Sequence, residues 1–239
     1  MTATTRADYG IDAPKVILNF LVLGTVLVLA GLGLRFEKGF GWGWGLVWWG
    51  STWWATALLM VMYAKFGKFR QRDRILDLAQ LGGGETVLDV GTGRGLLAIG
   101  AARRLTTGRS IGIDVFQKED LSGNSLERTQ ANLVAEGVEG RVEIRADDAR
   151  KLSLESASVD RVVSNLCLHN LYKKDERAQA LAEIVRVLKP GGRAVISDYK
   201  LVDEYAAAFR AHGLTVAKHG PYLMDTFPPL RIVVAIKPA

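Results

Sequence analysis

Apolar and polar positions fall into two regimes along this chain. From Val16 to Leu34, nineteen residues pass without a charge, and only Asn19 and Thr25 break the run. As a helix this stretch would be about 28 Å long, close to the ~30 Å hydrocarbon thickness of a bilayer. Arg35 to Phe40 forms a short polar turn, and a second uncharged run extends from Gly41 to Ala64. From Gly82 onward the pattern changes to short apolar runs alternating with helix-period stretches. Strands are predicted at Thr86–Val90, Ser110–Asp114, Val142–Ala146, Val159–Ser164, Ala194–Asp198, Leu214–Lys218 and Ile232–Ile236. Helices are predicted at Leu96–Leu105, Asn124–Glu136, Lys174–Leu188 and Leu201–Ala211. Strands spaced by helices imply an α/β fold with a mostly parallel sheet covered on both faces. The last two strands are joined by Gly220-Pro221 and Pro228-Pro229 without a helix, which predicts an antiparallel C-terminal hairpin at one edge.

The two uncharged runs predict a hairpin of transmembrane helices. The second run holds all six tryptophans, Trp42, Trp44, Trp48, Trp49, Trp53 and Trp54. Gly41-Trp-Gly-Trp-Gly45 alternates with period two, which is no helix face, and reads as the interfacial turn into the second helix. Trp42 and Trp44 fit an aromatic belt. Trp53 and Trp54 lie over a dozen ångströms deeper and are expected to pack between the helices, the alternative being the lining of a lateral cavity. A cleaved signal peptide is the rival for the first run, but its apolar region is too long and a second run follows at once.

Charge placement orients the hairpin. The formal net charge is +6, and Lys65, Lys68, Arg70, Arg72 and Arg74 face Asp73 alone in residues 65–74. A basic cluster after the second span predicts a cytoplasmic globular domain, and it suits anionic headgroups. The expected organisation is a cytoplasmic tail (1–15), a two-span hairpin (16–64), a basic linker or lid helix (65–81) and a globular domain (82–239). A single cysteine, Cys167, rules out an intrachain disulfide and any cysteine-based metal cage, and the multi-cysteine arrangement of an arsenite methylator. His169, His212 and His219 have no metal-ligand spacing. No metal is expected. Nucleic acid is not an expected partner, because the positive charge is juxtamembrane.

Val87-Leu-Asp-Val-Gly-Thr-Gly-Arg-Gly95 carries the chemistry: a buried strand, an acid, and a glycine turn opening a helix. Such a turn brings backbone N–H groups and a helix dipole to a nucleotide-like ligand, although a plain structural turn has the same look. Asp114 ends the next apolar strand and suits the two hydroxyls of a ribose. Asp147-Asp148 ends the strand after that, where an acid suits an adenine amino group and an acidic surface turn is the bland reading. The dinucleotide pattern G-x-G-x-x-G is not met, since Leu96 stands at its third glycine position. An NAD enzyme is therefore disfavoured.

VLDVGTGRG, IGID, RADDARKL, VVSNLCLHNL and RVLKPGGRAVISD, in this order, resemble a class I S-adenosylmethionine-dependent methyltransferase over roughly Phe66 to Pro238. The resemblance implies a Rossmann-like seven-stranded sheet and S-adenosyl-L-methionine as cofactor. It implies that Gly91, Thr92, Gly93 and Gly95 face the methionine and ribose part, with Asp89 near the ammonium. It implies Asp114 and Val115 at the ribose, Asp148 and Ala149 at the adenine, and Asn165 behind the sulfonium. Phe66 to Arg70 corresponds to a segment that folds over the cofactor in many such proteins. The polar insert from Val115 to Ser125 departs from the simplest pattern. Asn124 or Ser125 is expected to cap the next helix, while Lys118 or Asp120 is the alternative reach toward the ribose.

Methyl transfer from a sulfonium is an in-line displacement governed by alignment and exclusion of water. A base is needed only when the acceptor must lose a proton. His169 is the expected base and Tyr172 a second catalytic candidate; a loop histidine held by a hydrogen bond is the plain alternative. Tyr199, Tyr222 and Asp225 are weaker pocket candidates. The hairpin points to a hydrophobic or membrane-associated acceptor: a lipid, a quinone or isoprenoid ring, or a small thiol or amine. The alternatives are a soluble metabolite or membrane protein as acceptor, with the hairpin only an address, and a non-catalytic regulator that binds the cofactor. Glycine- and tryptophan-rich helices also admit self-association through the membrane.

Overall fold

The computed structural model describes residues 6–117 and 121–239; Lys118 and Asp120 lie outside them. Two antiparallel helices, α1 (Pro14–Phe36) and α2 (Gly43–Met62), lead through a π-helical turn (Tyr63–Gly67) into α3 (Lys68–Ala79). The α/β unit follows in the order β1 (Thr86–Val90), α4 (Leu96–Arg104), β2 (Arg109–Asp114), α5 (Leu126–Ala135), β3 (Val142–Ala146) and β4 (Val159–Asn165). It continues with α6 (Lys174–Val187), β5 (Leu188–Asp198), α7 (Val202–Ala211), β6 (Thr215–Tyr222) and β7 (Leu230–Ile236).

The seven strands are ordered β3-β2-β1-β4-β5-β7-β6. β1 pairs in parallel with β2 and β4, while β7 runs antiparallel to both β5 and β6. The chain direction reverses its march between β1 and β4, and ligands of such sheets bind outside the carboxyl ends of strands at that crevice. Apolar side chains seal both faces. Leu88, Ile111, Val162 and Ile196 pack under α6 and α7 with Phe209 and Tyr205. Val87, Val163, Val195 and Ile232 pack under α3 and α4 with Ile75 and Leu76. The buried valine and isoleucine runs are what a sheet covered on both sides requires.

In the hairpin, glycines face glycines. A Cβ on Gly31 would lie 2.5 Å from the Gly43 carbonyl oxygen, and one on Gly50 would lie 2.7 Å from that of Gly24. The two backbones touch at two levels, seven residues apart on each helix. Trp53 packs on Phe20 at 5.0 Å between ring centroids, and the Trp54 indole N–H donates to the Leu21 carbonyl and Thr25 Oγ1, each at 3.3 Å. The deep tryptophans thus pack between the helices.

Three expectations change. Of the two expected spans, only Pro14–Phe36 is long and apolar enough to cross a membrane by length and composition among the described residues. α2 is a helix of 20 residues, but three glycines, Ser51, Thr52 and Thr56 dilute its apolar character. The helix also begins at Gly43, inside the alternating Gly-Trp stretch. Finally, residues 6–12, expected as a tail, lie on the α/β unit. Tyr9 is buried with Ile99, Ala102 and Leu133 of α4 and α5, its ring edge-on to Phe69.

Candidate functional site

The glycine turn sits where β1 ends. Gly91, Gly93 and Gly95 all have φ between 54° and 86°, a backbone region that disfavours any Cβ. The Gly91 and Thr92 N–H groups both donate to the Ile113 carbonyl at 2.9 Å, stitching the turn to β2. A Cβ on Gly91 would collide with Cys167, and one on Gly93 would meet Leu121 Cδ2 at 2.9 Å.

Asp89 is buried beneath the turn. Its Oδ2 accepts from Thr92 Oγ1 at 2.7 Å and from the Ala98 N–H at 2.9 Å. Its Oδ1 is buried with no hydrogen-bond partner among the described residues. Burial pushes this carboxyl up to about 7, against the pull of the Thr92 and Ala98 bonds, and the nearby Asp114 charge adds to the rise. Asp114 closes β2. Its Oδ2 accepts from the Gly93 N–H at 2.8 Å, and its Oδ1 accepts from the Phe116 N–H at 2.6 Å and Asn124 Nδ2 at 3.4 Å. Val115 follows it, exposed.

Asp148 lies beyond the end of β3, next to Asp114 through the Asp147 N–H donating to the Asp114 carbonyl at 3.2 Å. Its carboxylate is held by Arg150 Nη2 at 2.6 Å, and that bond keeps it below the usual carboxylate range. Ala149 packs against the main core. Ser125, not Asn124, caps α5, its hydroxyl accepting from the Arg128 N–H at 3.3 Å. Asn124 instead spans the insert, donating to the Gln117 carbonyl at 3.1 Å and to Asp114.

Asn165 ends β4 beside Ser197 of β5. Its Nδ2 donates to the Tyr63 hydroxyl at 3.3 Å, and its Oδ1 is buried without a hydrogen-bond partner among the described residues. The foot of the helical hairpin therefore touches the central strand end. His169 stands in the short 3-10 turn Leu168–Asn170. Its Nδ1 is 2.9 Å from Asp198 Oδ1, and its ring is edge-on to Tyr199 at 4.8 Å. Asp198, the last residue of β5, is fully buried and also accepts from the Tyr205 hydroxyl at 3.1 Å and the Tyr199 N–H at 2.8 Å. Burial, and then the Asp198 charge, push the Tyr205 hydroxyl up, so it stays a donor. A carboxylate on Nδ1 leaves Nε2 as the proton-accepting nitrogen.

Tyr172 is not brought into this group. Its ring is 83% exposed, and its backbone carbonyl accepts from Arg177 Nη1. Tyr222 and Asp225 engage Arg74 instead, under its guanidinium at 3.8 Å and in an ion pair at 2.8 Å. Sequence reasoning missed Asp198 and residues 6–12. The Asp8 N–H donates to Asn132 Oδ1 at 2.9 Å, and Asp8 Oδ2 pairs with Arg94 of the glycine turn at 2.6 Å. Lys68 Nζ donates to the Tyr9 and Gly10 carbonyls at 2.7 and 2.6 Å. The Ile11 N–H donates to Ser122 Oγ at 2.8 Å. A strap thus crosses from the glycine turn to the insert.

Residues 87–192 match the family model described as a methyltransferase domain. Methyltransferase GfsG of Streptomyces halstedii is 32% identical over 129 residues, which are 54% of this chain and 43% of that protein. Ubiquinone/menaquinone biosynthesis C-methyltransferase UbiE of Pseudomonas putida is 31% identical over 144 residues, 56% of this chain and 53% of that protein. The chain thus spans about half the length of these curated relatives. A SAM-dependent methyltransferase structure from Aquifex aeolicus superposes with a TM-score of 0.55 at 22% identity, over 69% of this chain and 88% of that one. Residues 87–192 thus resemble a methyltransferase domain, and the α/β unit shares the fold of that S-adenosylmethionine-dependent methyltransferase structure.

S-adenosyl-L-methionine is the cofactor that this likeness implies, and the residues present fit it. Among the described residues, the buried acceptor oxygens here with no hydrogen-bond partner are Asp89 Oδ1, Asn165 Oδ1 and Asn124 Oδ1. Asp89 and Asn165 lie at the ends of the paired strands β1 and β4, next to a turn whose three glycines admit close backbone approach. The lone acceptor of Asp89 suits the ammonium of a bound amino acid. When bound, the cofactor supplies a methyl group on a sulfonium, already electrophilic.

Proposed function

We propose that this protein is a membrane-held methyltransferase whose acceptor is a hydrophobic or membrane-associated small molecule. One observation carries the reading: Tyr63, just past α2, touches Asn165, so the helical hairpin ends at the site rather than on a linker. Both helices enter the bilayer in this reading. Their glycine-to-glycine contact is the close packing that membrane helices favour. Trp44, Trp48, Trp49, Leu58 and Leu59 are exposed along α2. Lys15, at the start of α1, and Lys65, just past α2, are exposed at one end of the hairpin, which supports a cytoplasmic domain. The printed name of UbiE supports a quinone ring among the lipid, isoprenoid, thiol and amine candidates.

Each residue then has a task. Asp89 Oδ1 meets the ammonium, directly or through water, and Gly91, Thr92, Gly93 and Gly95 line the methionine and ribose. Asp114 and Val115 hold the ribose, Asp148 and Ala149 the adenine edge. Asn165 backs the reacting centre. His169 Nε2 takes a proton from a hydroxyl acceptor, with Asp198 fixing the ring; Tyr172 keeps only a place at the rim.

The test is untargeted. Full-length protein in liposomes of total membrane lipid, given donor labelled in its methyl group, is expected to put label into the organic phase. His169→Gln is expected to slow that transfer by about 10²- to 10⁴-fold with cofactor affinity kept, if the acceptor is a hydroxyl. Label confined to water-soluble metabolites or to protein would refute the reading.

A further inference from the structure

The β6–β7 loop lies at the functional edge of the sheet. Tyr222 is opposite Leu230, and Arg231 is opposite Asp198, so residues 223–229 emerge beside the His169–Asp198 pair. Leu223 and Met224 are 67% and 97% exposed there. Such residues at a loop tip bury nothing within the molecule. Phe66, in the π-helical turn, is 66% exposed.

The segments that carry them are held together. Gly67 has no room for a Cβ against the Asp225 carbonyl, and Asp225 is ion-paired with Arg74 of α3. The loop is therefore clamped to the foot of the hairpin, with Phe66 and Met224 each one residue from the clamp. Phe66 is four residues beyond the end of α2, about 6 Å along a helix axis. That is the depth at which a spanning helix passes from hydrocarbon to headgroups. Lys65 and Arg70, both exposed, flank the same turn and carry the charge anionic headgroups attract.

We infer that Leu223, Met224 and Phe66 form a second membrane contact, an apolar tip that enters the bilayer interface beside the hairpin. The occupant of this surface is a lipid surface, and the contact turns the carboxyl edge of the sheet toward lipid. The acceptor then reaches His169 and Asn165 from the bilayer rather than from water. This rests on the membrane-held reading above.

Depth can be measured without knowing the acceptor. Full-length protein carrying Cys167→Ala and Met224→Cys, spin-labelled, would be reconstituted into vesicles of phosphatidylcholine and phosphatidylglycerol. Gly140→Cys, on an open turn at the far end of the sheet where a Cβ meets nothing, serves as the aqueous control. The ratio of oxygen to nickel-chelate accessibility at Met224→Cys is expected to exceed that at Gly140→Cys by about threefold or more. Equal ratios would overturn the inference. Leu223→Ser with Met224→Ser is expected to lower label transfer into vesicle lipid by about fivefold, with cofactor binding unchanged; full transfer would also overturn it. An immersed label at Met224→Cys together with no lipid product from wild-type protein would sink the methyl-acceptor reading while leaving the contact standing.

Discussion

Asp89 carries one bonded and one bare oxygen inside the protein, and that asymmetry makes it sensitive to pH. Its folded-state value of about 7 is above the ordinary carboxylate value, so the native state holds a proton that the unfolded chain releases. Stability from this group is present in acid and is lost as pH rises through about 7, with a slope of at most about 1.4 kcal/mol per pH unit. Denaturant titrations of the cofactor-free protein between about pH 5 and pH 8 are expected to show that decline, and Asp89→Asn to flatten it. An ammonium partner reverses the preference, because it favours the ionised form. Cofactor affinity by calorimetry is therefore expected to rise through neutrality and to be weak and flat in Asp89→Asn. Asp114 is held differently, with three donors on its two oxygens. The sequence motif located both acids; only the structure shows that one keeps a bare oxygen while the other has donors on both.

Among elements, the hairpin depends on four glycines. Gly31 and Gly43 meet backbone to backbone, so a larger residue at either must push the helices apart. Gly31→Leu is expected to destabilise the detergent-solubilised protein by about 1–3 kcal/mol or more, read as a lower melting temperature. Gly33, two residues away, meets nothing where a Cβ would go, and Gly33→Ala is expected to be neutral or to raise stability by up to about 1 kcal/mol. A melting curve that treats the two alike would contradict this packing. The glycines thus serve contact within one chain, where a sequence reading also admits self-association. Their seven-residue spacing was visible, but not their mutual facing. Strand cores were legible because each is a short apolar run between turn residues. β5 was read from Ala194 yet begins at Leu188, because the Lys189-Pro-Gly-Gly192 stretch pairs beside the C-terminal residues. His169 was legible from its place after β4. Asp198 was not, since its role arises only where β4 and β5 lie side by side.

At the scale of the whole molecule, residues 6–12 join the two halves. They have no hydrophobic periodicity, so nothing local marked them; their partners are Lys68, Arg94, Ser122 and Asn132, all distant in sequence. Lys68 is buried, which pulls its ammonium below the ordinary lysine value, and it spends two donors on strap carbonyls. Lys68→Met leaves those carbonyls unpaired, at a cost of about 1–3 kcal/mol each. Hydrogen exchange at Asp8, Gly10 and Ile11 is expected to accelerate by about tenfold or more in that variant, with β4 and β5 unchanged. Unaltered exchange at those amides would show that the strap does not depend on Lys68.

The strap runs directly into α1, and α2 runs without a break into α3, so the hairpin stands on two fixed legs. A rope held at one point lets its load swing; a bracket bolted at two does not. For a hairpin in a bilayer, the domain keeps one heading, with the same rim of the sheet at the lipid throughout the reaction cycle. Bulky soluble proteins then meet its far side first, and the rim is shielded from them by the membrane itself.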